Sequence, residues 1–233
     1  MGNPAQKRII RKLDLERFLS RIEPNPSPKV SLEQYTVSEA VAATMLYLAA
    51  YTNRDVVGKT VLDLGCGTGR LALAASYLGA KYVVGVDIDK TAVKTARASA
   101  EKLGFKANVE WVAGDVSVIT GSFDTVVQNP PFGVQKRAAD RKFLEKALEV
   151  GNVVYSLHNH PRTDKRLIKR LKANTASLLQ VAPSPFIEKF VERHHGVIKA
   201  VYAMLMTIPR MFDFHTKLRH DFVVDLYVIK KRG

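Results

Sequence analysis

Three glycines at alternate positions lie between an apolar run and a helical pattern, and no other segment of this chain constrains its fold as strongly. The segment reads Val61-Leu62-Asp63-Leu64-Gly65-Cys66-Gly67-Thr68-Gly69. A backbone without side chains can approach a ligand closely, and the N–H groups at the start of the following helix point at it. We therefore expect a strand, a ligand-binding turn that includes Gly65, Gly67, Thr68 and Gly69, and a helix.

Apolar runs and helical patterns alternate through most of the chain. Strands are predicted at residues 60–64, 82–86, 109–112, 123–127 and 153–157, and helices at residues 38–51, 70–78, 90–103 and 138–148. Two later apolar runs, at residues 201–208 and 222–229, predict an antiparallel pair. This order predicts an α/β fold with a seven-stranded, mostly parallel sheet and helices on both faces.

A proline-rich stretch at residues 23–28 predicts a boundary, because proline cannot continue a helix. We expect residues 1–28 to form a basic helix and a linker, and residues 29–233 to form the main domain. The single cysteine, Cys66, excludes an internal disulfide and favours a cytoplasmic location. His194, His195 and His215 match no metal-ligand spacing, so no metal site is predicted.

Acidic residues accompany the first three predicted strands. Asp63 stands before the glycines, Asp87 and its neighbour Ile88 end the second strand, and Asp115 with Val116 follows the third. A dinucleotide site has a similar turn and a later acid, but its third glycine falls one residue further on. The three carboxylates suit the amino group, ribose hydroxyls and adenine amine of S-adenosylmethionine. We expect that cofactor, with a nicotinamide-dependent dehydrogenase as a remaining alternative.

The fourth predicted strand ends in Asn129-Pro130-Pro131-Phe132. Two prolines fix the backbone, so the Asn129 side chain and the Pro130 carbonyl are held in one orientation. Two such oxygens can accept both hydrogens of an exocyclic amine on an aromatic ring, which directs the nitrogen lone pair at a methyl donor. Phe132 supplies an aromatic face for an extruded base.

The net charge of +14 is concentrated towards the C-terminus. From Lys136 onward there are 20 Lys and Arg and 9 Asp and Glu, a difference of +11. Such an excess favours a polyanionic partner, and the predicted basic helix at residues 164–174 is a candidate for phosphate contacts. His158, which follows Tyr155 at the end of the fifth strand, either contacts RNA or is a structural histidine.

Taken together, these segments resemble the class I methyltransferases of the methyltransferase-like group that make N6-methyladenosine in small-subunit ribosomal RNA. The matching segments, in order, are Leu32-Glu33-Gln34-Tyr35, the glycine turn, Gly85-Val86-Asp87-Ile88-Asp89, Gly114-Asp115-Val116, residues 123–133, Tyr155-Ser156-Leu157-His158 and Val224-Asp225-Leu226. The resemblance implies a Rossmann-like fold and adenine-N6 methylation. It also implies that Gln34 folds over the cofactor, that Gly65, Thr68, Asp87 and Asp115 bind it, and that residues 129–132 hold the adenine.

Members of this family work with a small zinc-ribbon activator protein. The resemblance therefore implies such a partner here, at the predicted strand that begins at Val109 and ends at Val112. In the usual strand order this strand is an edge, and an exposed edge that carries Trp111 could accept a partner strand.

Two other functions fit parts of the pattern. An enzyme of the same fold could methylate guanine N2 or a protein glutamine amide, although glutamine methyltransferases usually have Tyr in place of Phe132. A non-catalytic RNA-binding protein could have kept the fold, but the intact glycine turn and Asn129 argue against it.

Overall fold

In a computed structural model, the described residues are 9–29, 32–34, 36–105, 107–132, 139–161, 165–173, 178–209 and 219–232. Helices in this part of the chain are α1 (Lys12–Leu19), α2 (Glu39–Tyr47), α3 (Arg70–Tyr77), α4 (Lys90–Leu103), α5 (Ala139–Val150), α6 (Lys165–Ala173) and α7 (Pro185–Arg193). Strands are β1 (Thr60–Leu64), β2 (Tyr82–Asp87), β3 (Val109–Ala113), β4 (Phe123–Gln128), β5 (Gly151–Asn159), β6 (Leu178–Gln180), β7 (Gly196–Pro209) and β8 (Arg219–Lys231). A π-helical turn, Leu48–Thr52, extends α2, and a 3-10 turn, Val116–Val118, follows β3.

The strands form one sheet in the order β3-β2-β1-β4-β5-β8-β7-β6. The first five are parallel, and β8, β7 and β6 add to them in antiparallel pairs. The chain runs outward from β1 to β3 and then returns to the other side of β1 at β4. This reversal opens a crevice at the carboxyl ends of β1 and β4, where open α/β sheets bind their ligands.

Helices cover both faces of the sheet, as predicted. Side chains of α2, α3 and α4 share one core with β1, β2 and β3, and α1 packs on α2 and α3. Side chains of α5, α6 and α7 bury the opposite face. The α/β prediction is therefore confirmed, and the sheet lies between two apolar layers.

Helix boundaries follow from local sequence. Ser38, the predicted N-cap of α2, accepts a hydrogen bond from the Val41 N–H at 3.4 Å. Asp89 caps α4 by accepting from the Thr91 N–H at 3.1 Å, and Gly104 ends that helix with a φ of 82°, which glycine adopts at little cost.

The predicted number of seven strands is wrong, because the described residues form a sheet of eight. The additional strand, β6, has only three residues and pairs with β7 at the sheet edge. A run of three residues is too short to show alternation of apolar and polar side chains. The helix α7, in the same part of the sequence, was not predicted either. The late antiparallel pair was predicted in the right place, but β7 and β8 are several residues longer than their apolar runs.

The predicted edge position of β3 is confirmed, and the Trp111 side chain lies on the buried side of that strand. β3 is an edge strand, but Trp111 is 8% exposed and faces the helical layer. A Cβ placed on Gly85 of β2 would lie 2.7 Å from the indole ring, so the absence of a side chain at Gly85 makes room for Trp111. Because side chains alternate along a strand, Glu110 takes the exposed position and Trp111 the buried one.

Within the residues that the structure describes, none of the helices combines the length and the apolar character needed to cross a membrane.

Candidate active site

A cavity of about 310 Å³ lies in the crevice at the carboxyl ends of β1, β2 and β4. It is lined by nine of the residues predicted to bind the cofactor, namely Gln34, Asp63, Gly65, Gly67, Thr68, Asp87, Ile88, Asp115 and Val116. Asn129 and Pro131 line the same cavity. Gly69, Pro130 and Phe132 do not line it, although they are next to residues that do. The fold thus brings together two motifs that are about 60 residues apart in sequence.

The glycine turn depends on left-handed backbone. Gly65, Gly67 and Gly69 have φ values of 72°, 53° and 86°. Residues that carry a Cβ rarely adopt such values. A Cβ on Gly65 would also lie 2.8 Å from the ring of Phe143. Gly69 precedes the first residue of α3, so its role is to let the helix begin against Trp111.

Asp87 holds the glycine turn against the end of β2. One of its carboxylate oxygens accepts from the Gly67 N–H and the other from the Asp89 N–H, both at 2.8 Å. Burial raises the pKa of Asp87, and these hydrogen bonds oppose that rise. The carboxylate therefore fixes the turn while it also faces the cavity.

Asp63 is the most deeply buried acid of the cavity, with 1% of its surface exposed. Oδ2 accepts from the Ala72 N–H in the first turn of α3 at 2.9 Å, and Oδ1 has no hydrogen-bond partner among the described residues. Burial raises the pKa of Asp63 to about 8, and the neighbouring negative charge of Asp87 adds to the effect. A buried acid of this kind is stabilised in its ionised form by a cationic ligand.

The segment before α2 is tied to the loop after β2. Gln34 Nε2 donates to Asp89 Oδ2 at 2.9 Å, and Lys29 Nζ lies 3.0 Å from Asp89 Oδ1. Gln34 Oε1 in turn accepts from the Lys29 backbone N–H at 2.7 Å and from Asn25 at 3.1 Å. These contacts hold Gln34 at the cavity, where the family resemblance implied that it would be.

Asp115 is fixed by a lysine from the opposite side of the cavity. Its carboxylate accepts from the Ser117 N–H and hydroxyl and lies 2.7 Å from Lys142 Nζ of α5. The Lys142 ammonium, together with Ser117, lowers the pKa of Asp115 to about 2. Asp115 is therefore ionised at every physiological pH.

The Asn-Pro-Pro-Phe turn is anchored from below by a row of buried polar groups. Gln128, the last residue of β4, donates to the Ser156 hydroxyl of β5 at 2.8 Å, and that hydroxyl lies 2.8 Å from His158 Nε2. Because Ser156 accepts from Gln128, its own proton is available to His158. Burial lowers the pKa of His158 to about 4, so the ring is neutral and can accept it.

This burial decides between the two interpretations of His158. His158 packs edge-on against Tyr227 in the core, and the Tyr155 hydroxyl donates to Asp55 at 2.7 Å. Both side chains are buried, so His158 is a structural histidine.

Phe132 lies beside the cavity and packs edge-on against Phe222 of β8, with ring centroids 5.9 Å apart. It is half-buried, and Pro130 is buried.

Sequence reasoning missed several residues of the cavity, among them Lys142 and Phe143 of α5 and Arg70 of α3. No local signal marks Lys142 and Phe143, because they reach the cavity only through the packing of α5. The position of Arg70 directly after the glycine turn was a local signal that could have found it.

Comparisons with known proteins identify the family. The methyltransferase-domain family matches residues 55–194. The rRNA N6-adenosine methyltransferase Mettl5 of Drosophila melanogaster is 42% identical over 221 residues, which cover 91% of this chain and 93% of the relative. The chain belongs to this methyltransferase family.

The likeness extends over nearly the whole chain. An uncharacterised protein of Methanocaldococcus jannaschii is 35% identical and covers 97% of this chain and 96% of its own length. The crystal structure of a protein from Pyrococcus horikoshii, proposed to be an RNA methyltransferase, is 37% identical with a TM-score of 0.80. The alignment with this structure covers 97% of the present chain and 100% of the Pyrococcus horikoshii chain. The methyltransferase fold and S-adenosylmethionine as cofactor follow from this membership.

The cavity of this methyltransferase fits the cofactor chemically. S-adenosylmethionine supplies a methyl group on a positively charged sulfur and carries an ammonium group. Four acidic residues line the cavity, namely Glu33, Asp63, Asp87 and Asp115. Oδ1 of Asp63, which has no partner among the described residues, is buried where a cation would restore charge balance. Negative charge from Asp63, Asp87 and Asp115 therefore matches the positive charge of the donor.

Substitution Asp63→Asn tests this charge match. In the free protein the folded-state pKa of Asp63 lies near 8, above the usual value near 3.9, so wild-type stability falls as pH rises through that window. A neutral amide escapes this loss. We expect the Asp63→Asn variant to melt several degrees above wild type at pH 8, with a smaller difference at pH 6, and to bind S-adenosylmethionine at least tenfold more weakly.

Scanning calorimetry of the free proteins and titration calorimetry with the cofactor measure the two effects. Asp115→Asn is the matched control, because Asp115 is ionised in both folded and unfolded chains between pH 6 and 9 and should show no pH-dependent difference in melting. A melting difference for Asp63→Asn that does not change with pH would contradict the account.

Proposed function

We propose that this methyltransferase modifies the exocyclic N6 amine of an adenine in ribosomal RNA, with small-subunit RNA as the substrate. The observation that carries the proposal is that Asn129 and Pro131 line the same cavity as Asp63 and Asp87. The name of the Drosophila melanogaster relative supports adenine N6 and ribosomal RNA. A cytoplasmic location belongs to the same proposal.

The chemistry explains the choice of groups. The lone pair of an aromatic amine is delocalised into the ring, so the nitrogen is a poor nucleophile. If the Asn129 amide oxygen and the Pro130 carbonyl each accept one N–H, the nitrogen becomes more tetrahedral and its lone pair faces the donor. These fixed dipoles also stabilise the positive charge that develops on nitrogen. Alignment of the two reactants accounts for most of the acceleration, and no side chain needs to remove a proton first.

The polar row beneath the turn supports this positioning. Gln128 is the residue before Asn129, and its bond to Ser156 ties the end of β4 to β5. A buried network with defined partners holds one geometry, which is what an amine-gripping site requires. We propose that Gln128, Ser156 and neutral His158 keep Asn129 in place without touching the substrate.

Product identity tests the proposed reaction. Labelled S-adenosylmethionine is incubated with the protein and small-subunit RNA that lacks the modification, and the RNA is digested to nucleosides. We expect N6-methyladenosine, and we expect Asn129→Ala to reduce its formation at least 100-fold while cofactor affinity changes less than about threefold, because Asn129 acts on the amine. Label in N2-methylguanosine, or in protein glutamine, would overturn the substrate.

The control for this experiment is Asn152→Ala, which removes an exposed amide on β5. It should leave the rate unchanged.

A basic surface on α6 supports an RNA substrate. Lys165, Arg166, Lys169 and Arg170 are exposed, whereas Leu171 of the same helix is buried against β7 and β8. The helix therefore directs its cations to solvent and its apolar side to the sheet.

Contacts at the end of α6 connect this helix with the Asn-Pro-Pro-Phe turn beside the cavity. Lys172 Nζ lies 2.9 Å from the Asp221 carboxylate. Phe222, which follows Asp221 in β8, packs on Phe132. We propose that α6 binds the phosphates of the RNA segment that presents the adenine.

Neutralising α6 tests this surface. The variant Lys165→Gln, Arg166→Gln, Lys169→Gln and Arg170→Gln should weaken RNA binding more than tenfold near physiological salt. The slope of log affinity against log salt should become shallower by about 0.7 for each phosphate that the variant no longer neutralises, the value for single strands.

Its matched control removes three exposed cations from α4, at the opposite end of the sheet, through Lys90→Gln, Lys94→Gln and Arg97→Gln. Fluorescence anisotropy over a salt series measures both proteins. Equal weakening per removed charge in the two variants would mean that only total charge matters and that α6 has no specific role.

We further propose that a small zinc-ribbon activator protein pairs with the free edge of β3. The position of β3 at the end of the sheet supports this, since an edge strand has backbone groups available to a partner strand. Trp111 plays no part in the proposed contact, because it is buried beneath the glycine turn.

Hydrogen exchange tests the pairing. Addition of the activator should slow amide exchange at residues 109–113, because new strand pairing protects the outward N–H groups. Residues 178–180 of β6, at the opposite edge, provide the internal control and should not change. Failure of the two proteins to form a complex, or protection only at residues outside β3, would contradict the proposal.

A further inference from the structure

His160 and Asp225 form a side-chain pair outside the cavity. His160 follows the last residue of β5, and Asp225 lies on the neighbouring strand β8. Nδ1 of His160 lies 2.9 Å from each of the two carboxylate oxygens of Asp225. Because both oxygens face one ring nitrogen, the pair fixes the direction of the imidazole ring.

The two members of the pair differ in burial. The Asp225 side chain is 1% exposed, whereas the His160 side chain is 16% exposed. Burial raises the pKa of Asp225, and the hydrogen bond and the charge of His160 oppose that rise. An ionised carboxylate inside the protein is costly without a positive partner. Its charge is balanced when both nitrogens of the His160 ring carry a proton, and Nε2 is then a charged donor.

The second ring nitrogen of His160 is the free end of this pair. Nε2 carries no hydrogen bond within the described part of the chain, and it is not fully buried. His158, two residues earlier in β5, is the contrasting case, because its ring packs against Tyr227 and its Nε2 lies 2.8 Å from the Ser156 hydroxyl. His160 therefore presents to solvent a donor that the fold holds in one direction.

His160 lies between the Asn-Pro-Pro-Phe turn and α6. β4 and β5 are parallel neighbours, and their register places His160 three residues, or about 10 Å, beyond Asn129 in the strand direction. The His160 N–H donates to the Val223 carbonyl at 3.1 Å, and Leu171 of α6 packs on Val223. An RNA strand that runs from the turn to the basic surface of α6 would pass this position.

We propose that His160 donates through Nε2 to a backbone phosphate of the RNA strand between the target adenine and α6, and that Asp225 positions the ring. This contact rests on the proposed function, because the phosphate belongs to the RNA that presents the adenine. A charged donor suits a phosphate oxygen, since charge-assisted hydrogen bonds are roughly twice as strong as neutral ones. Because a buried partner holds the ring, His160 fixes the register of the strand on the protein.

Neutral linkages in the RNA locate the contact. The substrate is a fragment of unmodified small-subunit RNA centred on the adenine that becomes methylated, with one methylphosphonate placed in turn at each linkage near that adenine. We expect one linkage at which this change lowers kcat/KM of wild type by about fivefold or more and that of His160→Gln by less than about twofold, because the variant has no charged donor to lose. Asp225→Asn should reduce the effect of the same linkage and of no other.

Lys199→Gln is the matched control, since it removes one exposed cation near the start of β7, at the end of the sheet opposite to His160. It should keep the wild-type response at every linkage. His160→Gln alone leaves the buried carboxylate of Asp225 without its partner, which lowers stability. The double variant with Asp225→Asn removes that charge and repeats the test in a protein that folds without it.

Retention of the wild-type response at every linkage by His160→Gln would overturn the contact. A ribose contact would overturn it as well, and it would appear as a 2′-deoxy substitution, in place of a methylphosphonate, that loses its effect in His160→Gln. Failure of wild type to methylate the unmodified fragment would instead contradict the proposed function and with it this contact.

Discussion

The structure of the cavity depends on two carboxylates that accept backbone hydrogen bonds from the glycine turn and from the helix after it. Asp87 holds the Gly67 N–H, and Asp63 holds the Ala72 N–H, so the turn is attached to the ends of β2 and β1 at once. Glycine makes the left-handed backbone possible, but these acids select one conformation of it. Burial of two neighbouring acids destabilises the free protein and prepares it for a cation. Stability and cofactor binding are therefore opposed at the same residues.

The cavity has a donor side and an acceptor side that come from different parts of the fold. The donor side is built from β1, β2 and the segment before α2. Lys29 and Gln34 of that segment contact Asp89 in the loop after β2. The acceptor side comes from β4 and β5, where Gln128 and Ser156 support the Asn-Pro-Pro-Phe turn. The two sides meet because β1 and β4 are neighbours at the point where the chain reverses direction across the sheet. Strand order thus brings the glycine turn and the Asn-Pro-Pro-Phe turn to one cavity.

Local signals in the sequence were sufficient for the cavity elements that are contained in one short segment. The glycine turn, the acid that ends β2 and the proline-fixed turn after β4 are each contained in a few consecutive residues, and all three lie at the cavity. Contacts between distant residues could not be predicted in this way. The Lys142 partner of Asp115 and the Glu39 partner of Arg70 depend on how α5 and α2 pack. The burial of Trp111 could not be predicted, because which side of a strand is buried is not settled until the neighbouring helices are in place. β6 was too short to leave a pattern.

A crystal structure with a bisubstrate analogue, in which adenosine N6 is joined covalently to the methionine portion of the cofactor, tests the arrangement most directly. The account predicts that the linked nitrogen lies within hydrogen-bond distance of the Asn129 side-chain oxygen and the Pro130 carbonyl, roughly 2.7–3.2 Å. It also predicts that the methionine ammonium lies beside Asp63. An adenine bound elsewhere, with the Asn129 oxygen directed into the core, would contradict it.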